Sequence, residues 1–308
     1  MEITSVITGL ILFWPASLLL FLIGFGIVAF AVVIVSSAAV LFGIFLYGIY
    51  SILRDLGLLD AVFQKIGNIT EYASSHIRTN IQKSFVVKNL SSWKESPALF
   101  ICHPHGLYGL TWFLHFSSSL TSWPLQQKPV LAVHSVFFKI PILRELFVHH
   151  KCIEAKESQI KSVLREGKSV ALLLGGIEEL LMTQSGSLKL VLEKRNGFVR
   201  IAQEMKVPLI PLVSPNENDL FTLFESEWTK WLQEFVYKHF HLALPIPSWQ
   251  SLKGWMSLTT GGFPNPVFTY ILEPVFADGN TLEEVKSAYK KRLEDFSMDY
   301  KIPIQVVK

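Results

Sequence analysis

At residues 103–106 the sequence reads His-Pro-His-Gly. The four residues follow a strand-like apolar run, Pro97–Cys102, and precede a stretch with helical spacing. Reactive groups in α/β sheets gather at the carboxyl ends of strands. A neutral histidine placed there is a natural base for a hydroxyl proton near neutral pH. Gly106 permits close backbone approach, and amides at a helix start can hold the oxyanion formed when a hydroxyl attacks a thioester. His103, His105 and Gly106 therefore carry the pieces for acyl transfer within one turn. Two other readings fit the same tetrapeptide. Pro104 can set a turn in which one histidine is structural, or His103 and His105 can bind a metal. The metal reading lacks a neighbouring acidic or cysteine set to complete the coordination.

A second element, Gly175-Gly176-Ile177-Glu178-Glu179, directly follows the strand-like run Val170–Leu174. Two glycines let the chain turn sharply beside a ligand. A carboxylate at this strand end can orient a histidine or hold its positive charge, as the third member of a triad does. An exposed acidic pair opening a helix, favoured by the helix dipole, explains the residues equally well. The third element is Lys194-Arg195-Asn196-Gly197-Phe198-Val199-Arg200. A basic pair before a helix can take the phosphates of coenzyme A, while a solvated helix start is the simpler account. No G-x-S-x-G elbow is present, which disfavours a serine hydrolase. No G-x-G-x-x-G or G-x-x-x-x-G-K-[ST] signals a nucleotide cofactor.

The elements that must position these groups alternate along the chain. Pro97–Cys102, Val130–His134, Val170–Leu174, Val207–Val213 and Val267–Leu272 have strand length and β-branched content. Helical stretches lie between them, at Leu107–Leu120, at Ser158–Arg165, and where Phe198, Ile201, Ala202 and Met205 share a face. Val285, Tyr289, Leu293 and Phe296 mark a last helix. This alternation predicts an α/β fold, a sheet flanked by helices on both sides. Residues 54–95 read as a connecting helical region and residues 96–308 as the main domain. Residues 220–265 break the rhythm and hold Trp228, Trp231, Trp249 and Trp255, four of the eight tryptophans. Such an insertion suits a bilayer boundary or the entry to a lipid site, and suits an aromatic core patch nearly as well.

Half of the 308 residues are hydrophobic and 17% are charged, against the roughly 25% usual in soluble domains. The deficit is local, because no Asp, Glu, Lys, Arg or His occurs between Glu2 and Arg54. A secretory signal has a basic start and a short apolar core; here the start is acidic and the run is far longer. Residues 1–53 therefore read as a retained membrane anchor with room for two spans. One geometry is a hairpin turning between Gly24 and Ser37. The other is a single long span after an interfacial stretch at Trp14 and Pro15. The hairpin leaves less apolar chain outside lipid. Arg54 and Lys65 are the first basic residues after the run and place the body on the cytosolic side. A net charge of +3 with no basic run does not signal nucleic acid. Two cysteines, Cys102 and Cys152, without a CxxC pair suggest neither a disulfide framework nor a zinc site.

The motifs taken together resemble the type 2 diacylglycerol acyltransferase family, which includes monoacylglycerol and wax-alcohol acyltransferases. HPHG at 103–106, GGIEE at 175–179, RNGFVRIA at 195–202 and PLIPLVSPNENDLF at 208–221 occur in its order and spacing. SVFFKIPILRE at 135–145 and the ending from Glu273 resemble it as well. The resemblance covers roughly residues 95–300 and the hydrophobic N-terminus. It implies a glycerolipid-acyltransferase-like fold with an N-terminal transmembrane hairpin, and acyl-CoA as co-substrate with no further cofactor. A neutral lipid acceptor, a bilayer, and residence in the endoplasmic reticulum membrane and on lipid droplets go with it. Homo-oligomers are compatible with it. By the motif match, His103, Pro104, His105 and Gly106 take active-site positions, with His105 as base and His103 packing behind. Glu179 closes the GGxxE element and substitutes for the Asp of the HxxxxD pair in related enzymes. Pro104, Gly175, Gly176, Lys194, Arg195, Gly197 and Glu217 become candidate substrate-binding positions. The chain departs from the pattern in three places. Pro215-Asn216-Glu217 replaces Phe-Gly-Glu, a Gly-Arg-Gly is missing from the middle region, and Lys286 stands where a histidine usually precedes Tyr289.

Overall fold

The structure, a computed structural model, describes residues 40–60, 62, 75–93, 97–117, 120–141, 143–186, 188–240, 243, 246–249, 251 and 265–307. The chain divides into two compact units, residues 1–61 and residues 62–308. In the first, residues 40–55 form a helix that exposes Val40, Leu41, Phe42, Ile44 and Phe45. Among the described residues no helix is long and apolar enough to cross a membrane. The expected hairpin turn and the stretch at Trp14 and Pro15 lie outside the described residues.

In the second unit, seven strands among the described residues form one mixed sheet. They are β1 (Phe85–Asn89), β2 (Leu99–His103), β3 (Val130–Val133), β4 (Ile153–Glu154), β5 (Val170–Leu173), β7 (Leu209–Val213) and β8 (Val267–Ile271), in spatial order β1-β8-β7-β2-β5-β3-β4. Only β7 and β8 pair antiparallel. A separate parallel pair joins β6 (Leu188–Val191) to β9 (Ile304–Val307). β2 and β7 are buried at every position, which is why their sequences are unbroken apolar runs rather than alternating ones. Leu99 and Ile101 of β2 pack into a core built from three helices on one face: α4 (Glu157–Arg165), α6 (Gly197–Met205) and α9 (Leu282–Tyr300). Phe100 and Cys102 point the other way, toward Trp112 and Phe116 of α2 (Leu110–Ser117). Each fully buried Leu, Ile or Phe contributes about 1.5–3 kcal/mol, so these two layers hold the sheet rigid beneath its loops.

Several boundaries differ from the sequence reading, each for a local reason. α2 starts at Leu110 rather than Leu107, because Gly106 and Gly109 have φ of +67° and +61°, which a right-handed helix does not admit. The connecting region ends in an edge strand, β1, whose Phe-Val-Val favours extended backbone and pairs parallel with β8. The middle region contains a 14-residue helix, α8 (Glu227–Phe240). Trp228, Trp231 and Trp249 are exposed, so they are no core patch, and Trp255 lies outside the described residues. The last helix is where Val285, Tyr289, Leu293 and Phe296 place it. Thr281 caps it in a reciprocal box with Glu284, and Lys301 ends it in the left-handed region.

Candidate active site

The end of β2 separates the two histidines. His103 continues the Leu99 and Ile101 row and turns inward, 1% exposed, with Nε2 2.9 Å from the Tyr289 hydroxyl on α9. Burial holds its pKa at about 3, so it stays neutral at physiological pH, and its Nδ1 has no partner among the described residues. Phe198 of α6 packs edge-on against Tyr289 and completes the seat. Pro104 is buried and its carbonyl accepts the Trp112 indole N–H at 2.9 Å.

His105 lies past the strand end and is only partly buried. Its Nδ1 is 2.9 Å from the Gly106 carbonyl. A carbonyl can only accept, so Nδ1 carries the proton and the lone pair of the neutral ring is on Nε2. Burial lowers the pKa of His105; the Gly106 carbonyl opposes this and nearby His134 adds to it. The ring is thus neutral at pH 7 with a base at Nε2. The acid limb of any His105-dependent rate should lie below pH 6.5, the ordinary value for this side chain. A pH–rate profile checks this, and a limb above pH 7 would contradict it.

Glu179, 2% exposed in α5 (Gly176–Leu181), departs from the expectation that it would meet the imidazole. Its Oε1 accepts the main-chain N–H of His105, and its Oε2 accepts Val191 N–H of β6 at 3.1 Å. The reason is the backing of Gly175: a Cβ there would lie 2.0 Å from Glu179 Oε2 and 2.3 Å from its Cβ. The carboxylate folds flat over that glycine and reaches backbone, not ring. Glu217 lies on the other side of the same turn, 1% exposed at the start of α7 (Glu217–Leu220). Its Oε2 accepts Thr111 N–H at 3.2 Å, the first turn of α2. One of the helix-start amides expected to face a substrate oxyanion, that of Thr111, is therefore taken by Glu217, which shifts that task toward the turn at Gly106.

Burial raises both Glu179 and Glu217 to about 7, against the N–H donors around them, which favour the charged form. A carboxyl with a raised folded pKa lends stability that is complete below its unfolded value near 4.5. That stability is lost as pH climbs through 7. Unfolding free energy should accordingly fall between pH 4.5 and 7.5, by on the order of 3 kcal/mol per group at most, and melting temperature with it. Glu217→Gln should flatten part of that fall, and thermal unfolding across pH reads it.

The basic element divides. Arg195 Nη2 donates to the Gly175 carbonyl at 3.1 Å and faces Glu178 at 3.4 Å, so it braces the double-glycine turn. Gly176, with φ +62°, leaves room for it. Lys194 is exposed, and Gly197 opens α6 with free space beside it. Lys286, buried on α9, donates to the Glu193 carbonyl at 2.7 Å and Asn196 Oδ1 at 3.0 Å, which fixes this turn from behind. Sequence reasoning missed the roles of Thr111, Val191 and Lys286. Only Lys286 left a signal, as a departure from a family pattern. Among the described residues no three His, Cys, Asp or Glu side chains converge as metal ligands.

Residues 57–302, which include the whole of this arrangement, match the protein family described as Diacylglycerol acyltransferase. The chain belongs to that family. Relatives within it are distant. Acyl-CoA wax alcohol acyltransferase 2 of Homo sapiens is 32% identical over 152 residues, 45% of this chain and 46% of that protein. Diacylglycerol O-acyltransferase 2 of Homo sapiens is 29% identical over 189 residues, 58% of this chain and 48% of that protein. Diacylglycerol O-acyltransferase 2A of Umbelopsis ramanniana is 26% identical over 209 residues, 65% of this chain and 59% of that protein. This diacylglycerol acyltransferase family member thus spans about half the length of the curated relatives it matches. Among solved structures, the 1-acyl-sn-glycerophosphate (LPA) acyltransferase PlsC from Thermotoga maritima aligns with 80% of the chain and 93% of its own. At 12% identity and a TM-score of 0.43, this is a loose likeness only.

Proposed function

We propose that the protein is an acyl-CoA-dependent O-acyltransferase that makes neutral lipid, with diacylglycerol as acceptor, triacylglycerol as product and His105 as general base. The observation that carries this is the His105 tautomer. A proton fixed on Nδ1 by the Gly106 carbonyl leaves a basic Nε2 at a strand end, in the one partly exposed histidine of the HPHG turn. Nε2 removes the acceptor hydroxyl proton, and the alkoxide attacks the thioester carbonyl. Amides near Gly106 hold the oxyanion. The carbon–sulfur bond then breaks, and the coenzyme A thiolate leaves and takes the proton back from His105. Lys194, solvated and close in sequence to the braced turn, is the candidate for donor phosphates.

Family membership supports the chemistry, and it supports a glycerolipid-acyltransferase-like reading of the sheet. The apolar residues 1–53 support a membrane anchor with the catalytic body in the cytosol. The endoplasmic reticulum membrane and the lipid droplet surface suit such a product. The exposed Trp228 and Trp231, one turn apart on α8, support contact of the middle region with a bilayer surface. A second acceptor class deserves a place in the test, because the 32% identical relative is named for wax alcohol.

The test is lipid synthesis in membranes of a host without its own triacylglycerol and wax-ester activity. Labelled oleoyl-CoA is offered with diacylglycerol, monoacylglycerol or hexadecanol in separate reactions. Label in triacylglycerol is the expected result. Label only in diacylglycerol or wax ester moves the acceptor and keeps the chemistry. No label from inserted, folded protein overturns the proposal in favour of a silent lipid-binding protein.

A further inference from the structure

Glu217 is held close beneath the HPHG turn by a chain of main-chain bonds. Ser214 N–H donates to the His103 carbonyl at 2.8 Å, which extends the β2–β7 ladder by one row. Glu217 N–H donates in turn to the Ser214 carbonyl at 3.1 Å. Asp219 pins the same short helix by accepting from Gly186 N–H at 2.9 Å and from Asn216 Nδ2 at 3.2 Å. From this anchorage the Glu217 side chain lies against the α-carbon of Gly106. A Cβ on that glycine would sit 2.6 Å from Glu217 Cγ and 2.7 Å from its Oε1. Oε2 grips Thr111 N–H, while Oε1 is buried and has no partner among the described residues.

We infer that Glu217 is a positioning residue for the acyl-transfer turn. By contact with Gly106 and by capping Thr111 it sets where the turn's amides point, and it does not touch substrate. Glu179 holds the near end of residues 105–111 at the His105 amide and Glu217 holds the far end at Thr111. Gly106 and Gly109, both at positive φ, are the soft points between the two grips. The substrate-binding role that the motif match suggests for Glu217 does not suit a side chain 1% exposed behind the turn. What the contacts require is reach, not charge. A side chain of this length must fill the space under Gly106 and present an acceptor to Thr111.

This inference rests on the reading of His105 as base. Its test compares Glu217→Gln, which keeps the reach and loses the charge, with Glu217→Asp, which keeps the charge and withdraws it by one methylene. Both are assayed in the full chain in membranes, beside wild type and His105→Ala. Glu217→Gln should keep kcat within about threefold, whereas Glu217→Asp should lower kcat on the order of 10–100-fold, the scale of an ångström misplacement. KM for acyl-CoA and acceptor should stay within about threefold in both, since no binding contact is removed. A tenfold rise in KM with kcat retained would make Glu217 a substrate contact and overturn the inference. Glu217→Gln as slow as Glu217→Asp would make it a proton-transfer group, and Glu217→Asp at the wild-type rate would remove its role. Activity surviving in His105→Ala would instead overturn the base assignment, whichever way the Glu217 variants behave.

Discussion

His105→Ala should abolish acyl transfer, with kcat down on the order of 10²–10⁴-fold, the usual worth of a positioned base. Wild-type membrane association and yield should persist. The effect is large because nothing else at the turn can replace Nε2. His103, two residues away, is turned into the core against Tyr289 and held at a pKa of about 3. Glu179 is committed through both oxygens to main-chain N–H groups of His105 and Val191. The His105 side chain is partly exposed and among the described residues bonds only to the neighbouring Gly106 carbonyl, so its truncation leaves the fold alone. A lipid-synthesis assay with quantified membrane protein checks this. Retained turnover would place the base elsewhere.

Gly175→Ala should be the most damaging single-methyl change in the site, costing stability and activity together. Backbone strain is not the cause, because Gly175 has an ordinary helical φ of −62°. The cause is occupancy: the new Cβ would fall 2.0 Å from Glu179 Oε2, 2.2 Å from its Cδ and 2.3 Å from its Cβ. The far end of a side chain can swing away, but a Cβ moves only with its backbone. Glu179 must therefore be displaced, and two buried main-chain donors lose their acceptor. At about 1–3 kcal/mol for each buried polar group left unpaired, the loss is several kcal/mol. The slack reaches the catalytic residue through the His105 amide. Thermal unfolding should show a markedly lower melting temperature, and turnover should fall well beyond what the unfolded fraction explains. Gly167→Ala is the control: its φ of +75° strains any side chain, yet nothing lies within 4 Å of the added methyl. That variant should lose stability without a separate loss of turnover.

The strands were legible because central strands of a covered sheet are apolar at every position, and Leu99–His103 and Leu209–Val213 are of that kind. Even the inward turn of His103 follows from phase, since it continues the row of Leu99 and Ile101. The start of α2 was not legible from hydrophobic spacing, because Leu107 fits the pattern while the positive φ of Gly106 and Gly109 forbids the helix. The double-glycine element advertised a carboxylate near a histidine, yet not that it would bind the main chain. That choice is made by the flat backing of Gly175, visible only in three dimensions. Glu217 was the least legible of all, because its partner Thr111 is 106 residues away and no local pattern links them. Lys286 bracing the turn at Glu193 and Asn196 is hidden for the same reason.

The direct transfer from thioester to hydroxyl at His105 is tested most simply by following coenzyme A thiol and ester product together after rapid mixing of acyl-CoA with the protein in membranes. Thiol release should need the acceptor, should match ester formation one for one, and should vanish in His105→Ala. A burst of thiol without acceptor, or thiol and ester formed at the wild-type rate in His105→Ala, would contradict the account.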